Sequence, residues 1–197
     1  MIRVAGIVAV ALALLGTGSA EGLTLEPVGD AFVEPTYVTS DPGDPNRLFV
    51  VERKGTIQLV QNGVKSKFAD LTAEVGCVSS CGGERGLMSI ALSPQFESDG
   101  RLYVEYGSDS DENIHVEELT AFPDRQSADP TTLEPLLEID HPSVANHYGG
   151  QLQFGPDRAL YISTGDGSVQ NDELHHAQDL NSQLGKILRL ELNPPAQ

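Results

Sequence analysis

Three short strings set the strongest constraint on what this chain can fold into. They are Arg47-Leu48-Phe49-Val50, Arg101-Leu102-Tyr103-Val104 and Ala159-Leu160-Tyr161-Ile162, with leucines 54 and 58 residues apart. That interval is close to the ~40–50 residues of one propeller blade. Each string follows a Pro-containing turn: Asp41-Pro42-Gly43-Asp44-Pro45, Ser93-Pro94-Gln95 and Gly155-Pro156-Asp157. Each turn follows an apolar or alternating stretch: Thr36-Tyr37-Val38, Leu87-Met88-Ser89-Ile90-Ala91-Leu92 and Gln151-Leu152-Gln153-Phe154. The unit is therefore strand, turn, aromatic strand. In two units a further alternating strand begins at glycine, over Gly55 to Val60 and Gly185 to Leu190. Helical periodicity is nearly absent, and the one short helix expected lies around Asp172 to Leu184. A β-sandwich would also supply many short strands, but not one motif at a blade-sized interval.

The chain is thus read as all-β, a partial β-propeller of about three four-stranded blades. Propellers close with about 4–8 blades, and the 177 residues after Ala20 make half of a six-bladed ring. The expectation over 21–197 is an incomplete propeller domain, either a piece of a longer protein or a unit that self-associates through open edges and blade faces. Residues 193–197, Asn-Pro-Pro-Ala-Gln, fall where a blade boundary is expected.

Residues 1–20 read as a signal peptide: Arg3, an apolar run from Val4 to Leu15, then Gly18-Ser19-Ala20 before Glu21. The run is too short to span a bilayer, and small residues at −3 and −1 suit signal peptidase. That reading places the mature protein in a periplasm or outside the cell, without membrane insertion. The chain carries 12 Lys plus Arg against 29 Asp plus Glu, a formal charge of −17. Such a field repels phosphate backbones and anionic lipid, which makes nucleic acid a poor partner. Cys77 and Cys81 sit in a Gly/Ser-rich stretch. In an exported chain a disulfide is expected, the alternative being two zinc ligands that lack companions at metal spacing.

Residues 146–152, Asn-His-Tyr-Gly-Gly-Gln-Leu, run through Phe154-Gly155-Pro156-Asp157 to Thr164-Gly165-Asp166-Gly167. Upstream stand Gly83-Glu84-Arg85-Gly86-Leu87-Met88 and Ala91-Leu92-Ser93-Pro94-Gln95-Phe96, and downstream Leu184-Gly185-Lys186-Ile187-Leu188-Arg189. In this order the blocks resemble the N-terminal half of the soluble glucose/sorbosone dehydrogenase family, from about Leu25 to Leu192. The resemblance implies a PQQ- and calcium-dependent oxidoreductase that converts aldoses to lactones and hands electrons to an external acceptor. It implies His147 as general base and Asp166 as the carboxylate partner of that base. An imidazole titrating near neutrality suits the task, best with its other nitrogen held by a carboxylate. Glu84 falls where the family's best-studied kind of enzyme has a cofactor-contacting Gln, and its charge invites pairing with Arg85. The family's calcium ligands, and the Arg, Asn and Lys residues that grip PQQ, come from later blades.

Other candidates fade. Residues 109–113, Asp-Ser-Asp-Glu-Asn, start like a calcium loop, but Ile114 replaces the required Gly and Thr120 the bidentate Glu. A solvated hairpin loop is expected there, and His175-His176 is expected to be exposed surface. Phosphate-cradling and nucleophile-elbow motifs are missing. Two functions compete, the sugar dehydrogenase and a non-catalytic propeller that binds or scaffolds, since a fold does not dictate chemistry; a third, a calcium-dependent lactonase on a similar propeller, needs inward carboxylates and Asn from several blades that the sequence does not assemble.

Overall fold

The computed structural model describes residues 24–77 and 81–192. The proposed signal peptide and residues 193–197 lie outside them. Blade one is an antiparallel meander of β1 (Pro35–Ser40), β2 (Arg47–Glu52), β3 (Thr56–Gln61) and β4 (Val64–Asp70). A single helical turn, α1 (Thr72–Val75), leads out of it. Blade two repeats the order with β5 (Gly86–Leu92), β6 (Arg101–Gly107), β7 (Ile114–Thr120) and β8 (Glu134–Ile139). Blade three has three strands among the described residues: β9 (Gly149–Phe154), β10 (Leu160–Thr164) and β11 (Ile187–Leu190).

The repeated string is the second strand of each blade. Its leucine takes the same register each time, with Leu48 opposite Ser40, Leu102 opposite Leu92 and Leu160 opposite Phe154. First strands stack against one another, β1 on β5 and β5 on β9. The blades therefore fan about a common inner edge as a partial β-propeller. No sheet closes on itself among the described residues.

Alternation explains the packing, because successive side chains leave a strand on opposite faces. From β6, Leu102, Val104 and Tyr106 face blade one and join Phe49, Phe68, Leu87 and Phe96, all buried. Tyr103 faces blade three with Leu152, Leu160 and Ile162. Phe49 meets Phe68 and Phe96 edge-on at 4.9 and 5.8 Å. Phe96 arrives on a second helical turn, α2 (Phe96–Asp99), inside the Pro-turn connection.

The helix expected around Asp172 to Leu184 does not form; the segment is a string of turns. The Asp172 carboxylate accepts from Ala177 N, the Asp179 carboxylate from Asn181 N, and Ser182 Oγ from Leu184 N. Short polar side chains that bond nearby backbone compete with the helical ladder. Among the described residues no helix is long and apolar enough to cross a membrane.

Candidate active site at the loop end of the blades

Three loops meet at one end of the blades: residues 81–85 before β5, 140–148 before β9, and 165–186 between β10 and β11. The first carries Glu84 and Arg85, the second His147 and Tyr148, the third Asp166 and His176. His147 has a left-handed backbone, φ 62°. Three contacts hold it. Its N–H donates to Glu84 Oε2 at 2.6 Å, its carbonyl accepts from Gly167 N at 3.2 Å, and its Nδ1 lies 2.7 Å from Asp166 Oδ1. Glycine at 165 is required here, because a Cβ would overlap the His147 carbonyl oxygen.

Asp166 is anchored in turn. Its Oδ1 accepts from Ser168 N at 3.0 Å, and its carbonyl lies 2.8 Å from His176 Nδ1. Burial pushes the Asp166 carboxyl up, but the Ser168 N–H and the His147 ring outweigh it and hold the group below the ordinary carboxylate range. The hydrogen bond to Asp166 raises the pKa of His147, as do the charges of Asp166, Glu84 and Glu173, against slight desolvation. With Nδ1–H donated to Asp166, the Nε2 lone pair is left for an incoming proton, on a side chain 36% exposed. The arrangement is an oriented base at the surface.

The expected pairing of Glu84 with Arg85 does not occur. Arg85 turns inward, donating to Tyr148 Oη at 2.8 Å, Asp109 Oδ1 at 3.2 Å and Glu112 Oε1 at 2.5 Å. Tyr148 is fully buried and stacks on His141 at 3.8 Å. The 109–113 loop is thus not merely solvated, since Asp109 and Glu112 hold the guanidinium behind the site. Nor are both adjacent histidines free surface: His175 is exposed, but His176 is half-buried against Asp166. No sequence motif announced the Arg85–Tyr148 bond, which joins residues 63 positions apart.

Beneath the His147 loop lies Glu105 of β6, with 0% exposure. It packs on Gly150, where a Cβ would overlap its Oε1. Neither oxygen makes a well-formed hydrogen bond among the described residues. Burial raises its pKa to about 8, despite the neighbouring Ser89 hydroxyl. The carboxyl is protonated at neutral pH.

Cys77 and Cys81 are disulfide-bonded, with Cα atoms 4.6 Å apart. The bridge precedes the loop that bears Glu84. Closing so short a loop stabilises by about 2 kcal/mol in the chain-entropy model. The double variant Cys77→Ser/Cys81→Ser is therefore expected to lose about 2 kcal/mol in urea unfolding. A larger loss would mean that the bridge supports more than its own loop.

The family model described as Glucose / Sorbosone dehydrogenase matches residues 34–196. Human hedgehog-interacting protein is 33% identical over 181 residues, which are 86% of this chain and 26% of that protein. A Thermus thermophilus oxidoreductase described as a glucose dehydrogenase superposes with TM-score 0.69 at 32% identity, covering 86% of this chain and 47% of that one. The PQQ-bound aldose sugar dehydrogenase of Streptomyces coelicolor gives TM-score 0.69 at 28% identity, over 87% and 49%. The chain thus spans about half the length of these structures and about a quarter of that curated relative. Three consecutive blades superpose on structures of one family, and that family's model matches residues 34–196, so the chain belongs to the glucose/sorbosone dehydrogenase family.

Proposed function

We propose that this chain supplies the proton-abstracting part of a PQQ-dependent aldose dehydrogenase that oxidises the anomeric carbon of a sugar to a lactone and passes electrons to an external acceptor. The observation that carries the reading is the 2.7 Å contact between His147 Nδ1 and Asp166 Oδ1, on a histidine side chain that is partly exposed. Neutral His147 takes the anomeric hydroxyl proton on Nε2, and Asp166 fixes the tautomer and steadies the imidazolium that forms. Glu84 acts on the His147 backbone and sets where the ring stands. PQQ, when bound, supplies the hydride acceptor.

The base fits that chemistry, whereas the anion-binding half is not supplied by these loops. PQQ carries several negative charges, and the groups facing His147 are Asp166, Glu84 and Glu173. Arg85 is committed to Asp109 and Glu112, and Lys186 Nζ to the carbonyls of His176, Ala177 and Leu184. We assign the grip on PQQ, and the calcium ligands, to the portion of the family's length that this chain does not span. Export to a periplasm or the exterior, with a small sugar as substrate, belongs to the same proposal.

A non-catalytic binding role is the second reading, favoured by the 33% identity to a hedgehog-interacting protein and by the acidic site. Adding PQQ and calcium to the chain completed by the family's remaining blades, and following dye reduction with several aldoses, separates the two. Sugar-dependent turnover is expected from the dehydrogenase; none, in a protein folded by circular dichroism, favours the binding module.

A further inference from the structure

A second cluster lies on blade two, at the far side of the Arg85 network from His147. His115 of β7 and Glu138 of β8 are direct partners in the strand register, so their side chains leave the sheet on the same face. Asp111, from the hairpin before β7, brings both carboxylate oxygens to His115 Nε2, at 3.2 and 3.0 Å. One ligand atom from each of the three lies within 4.8 Å of the others. We infer that Asp111, His115 and Glu138 form a binding site for a divalent transition metal of the zinc class, separate from the proposed sugar site.

Every prospective ligand is already steadied from behind. The His115 ring lies flat on Tyr106, with centroids 5.0 Å apart and planes 10° off parallel. Its Nδ1 lies 4.0 Å from Glu117 Oε1, and Glu117 in turn hydrogen-bonds the Tyr106 hydroxyl. Asn113 Nδ2 donates to Glu138 Oε1 at 2.8 Å, and Asn113 N donates to Asp111 Oδ1 at 3.0 Å. A metal-bound imidazole backed by a carboxylate, and carboxylates held by outer hydrogen bonds, are what orient a metal site.

The donor set selects the ion. One imidazole nitrogen with two carboxylates suits zinc and its neighbours, whereas calcium takes oxygen ligands. Bonds of about 2.0–2.1 Å in a tetrahedron set ligand atoms roughly 3.3 Å apart, so the carboxylates must draw in by up to about 1.5 Å. Asp111 and Glu138 are both exposed, and each keeps a carboxylate oxygen beyond the one that Asn113 holds. Zinc takes the Nε2 lone pair of the tautomer that carries its N–H on Nδ1, toward Glu117, in place of the contact that Nε2 makes with Asp111, and water completes the tetrahedron.

Titration of the full chain with Zn²⁺ alone tests the site. One equivalent is expected to bind by calorimetry with Kd on the order of 10 µM or tighter. Co²⁺ at the same site is expected to give the visible absorption of a four-coordinate ion. Glu138→Gln, at an exposed position, is expected to weaken binding by about 10–100-fold, and His115→Ala to remove it. A His147→Ala/His175→Ala/His176→Ala variant is expected to keep the site, which sets aside zinc captured at those histidines. Binding weaker than that range, or unchanged in Glu138→Gln and His115→Ala, overturns the assignment.

Discussion

Replacing His147 with alanine is expected to lower sugar-dependent dye reduction by about 10²–10⁴-fold, the usual contribution of a positioned general base. The measurement is kcat/KM for the chain completed by the family's remaining blades, loaded with PQQ and calcium. Asp166→Asn gives the finer result. In the native chain the Asp166 contact raises the His147 pKa, so the imidazole is protonated and useless as a base at acid pH, and activity climbs as pH rises through that raised value. Asparagine removes the charge, so the acid limb of the pH profile should move to lower pH while the maximum falls. A limb that stays in place would show that His147 does not set the profile, and the base assignment would then fail. Because His147 is only partly buried and lies on a loop, circular dichroism of both variants should match the native protein.

The largest expected change in stability comes from Glu105→Gln, and it is a gain. The Glu105 pKa stands at about 8 in the folded chain, against an ordinary 4.5. Above 4.5 the unfolded chain releases this proton while the folded chain keeps it until about 8, so the native protein loses stability as pH climbs across that window. At pH 7 the loss is up to about 3 kcal/mol. Glutamine has nearly the same shape and no charge to bury. Its advantage should be near zero at pH 4, grow steadily, and level off above pH 8, as read from urea unfolding at several pH values. A constant difference across that range would mean that Glu105 is ionised in the folded state. This carboxyl lies directly under Gly150, three residues from His147, so the variant also asks whether a neutral acid is needed to seat the His147 loop.

Much of the architecture was legible in the residues. The leucines at 48, 102 and 160 marked the second strand of each blade because strand pairing, Pro turns and alternation are all local in sequence. The error at Asp172 to Leu184 has the same origin. Spacing there suggested a helix, while Asp172, Asp179 and Ser182 use their side chains to bond backbone groups a few residues on, and the chain turns instead. At the site, His147 and Asp166 were chosen from a resemblance, and the chain's own spacing does not show that they touch. They meet because β9 and β10 form a hairpin whose first strand begins beside the end of the second, with Gly165 allowing the His147 carbonyl to close in.

Sequence by itself was enough to determine a β-rich, acidic chain repeating one strand–turn–strand unit, since those features depend on neighbours within a few residues. Only the tertiary structure decided where charges end up. Arg85 turned away from adjacent Glu84 to Asp109 and Glu112, because a guanidinium near the blade core must satisfy its donors there. Glu105, which alternation alone would treat as one more polar strand residue, was buried because its face of β6 meets blade three. Likewise His115 and Glu138 became neighbours only through the β7–β8 register. Each outcome is set by which sheet packs on which, and that information is carried by contacts between distant residues.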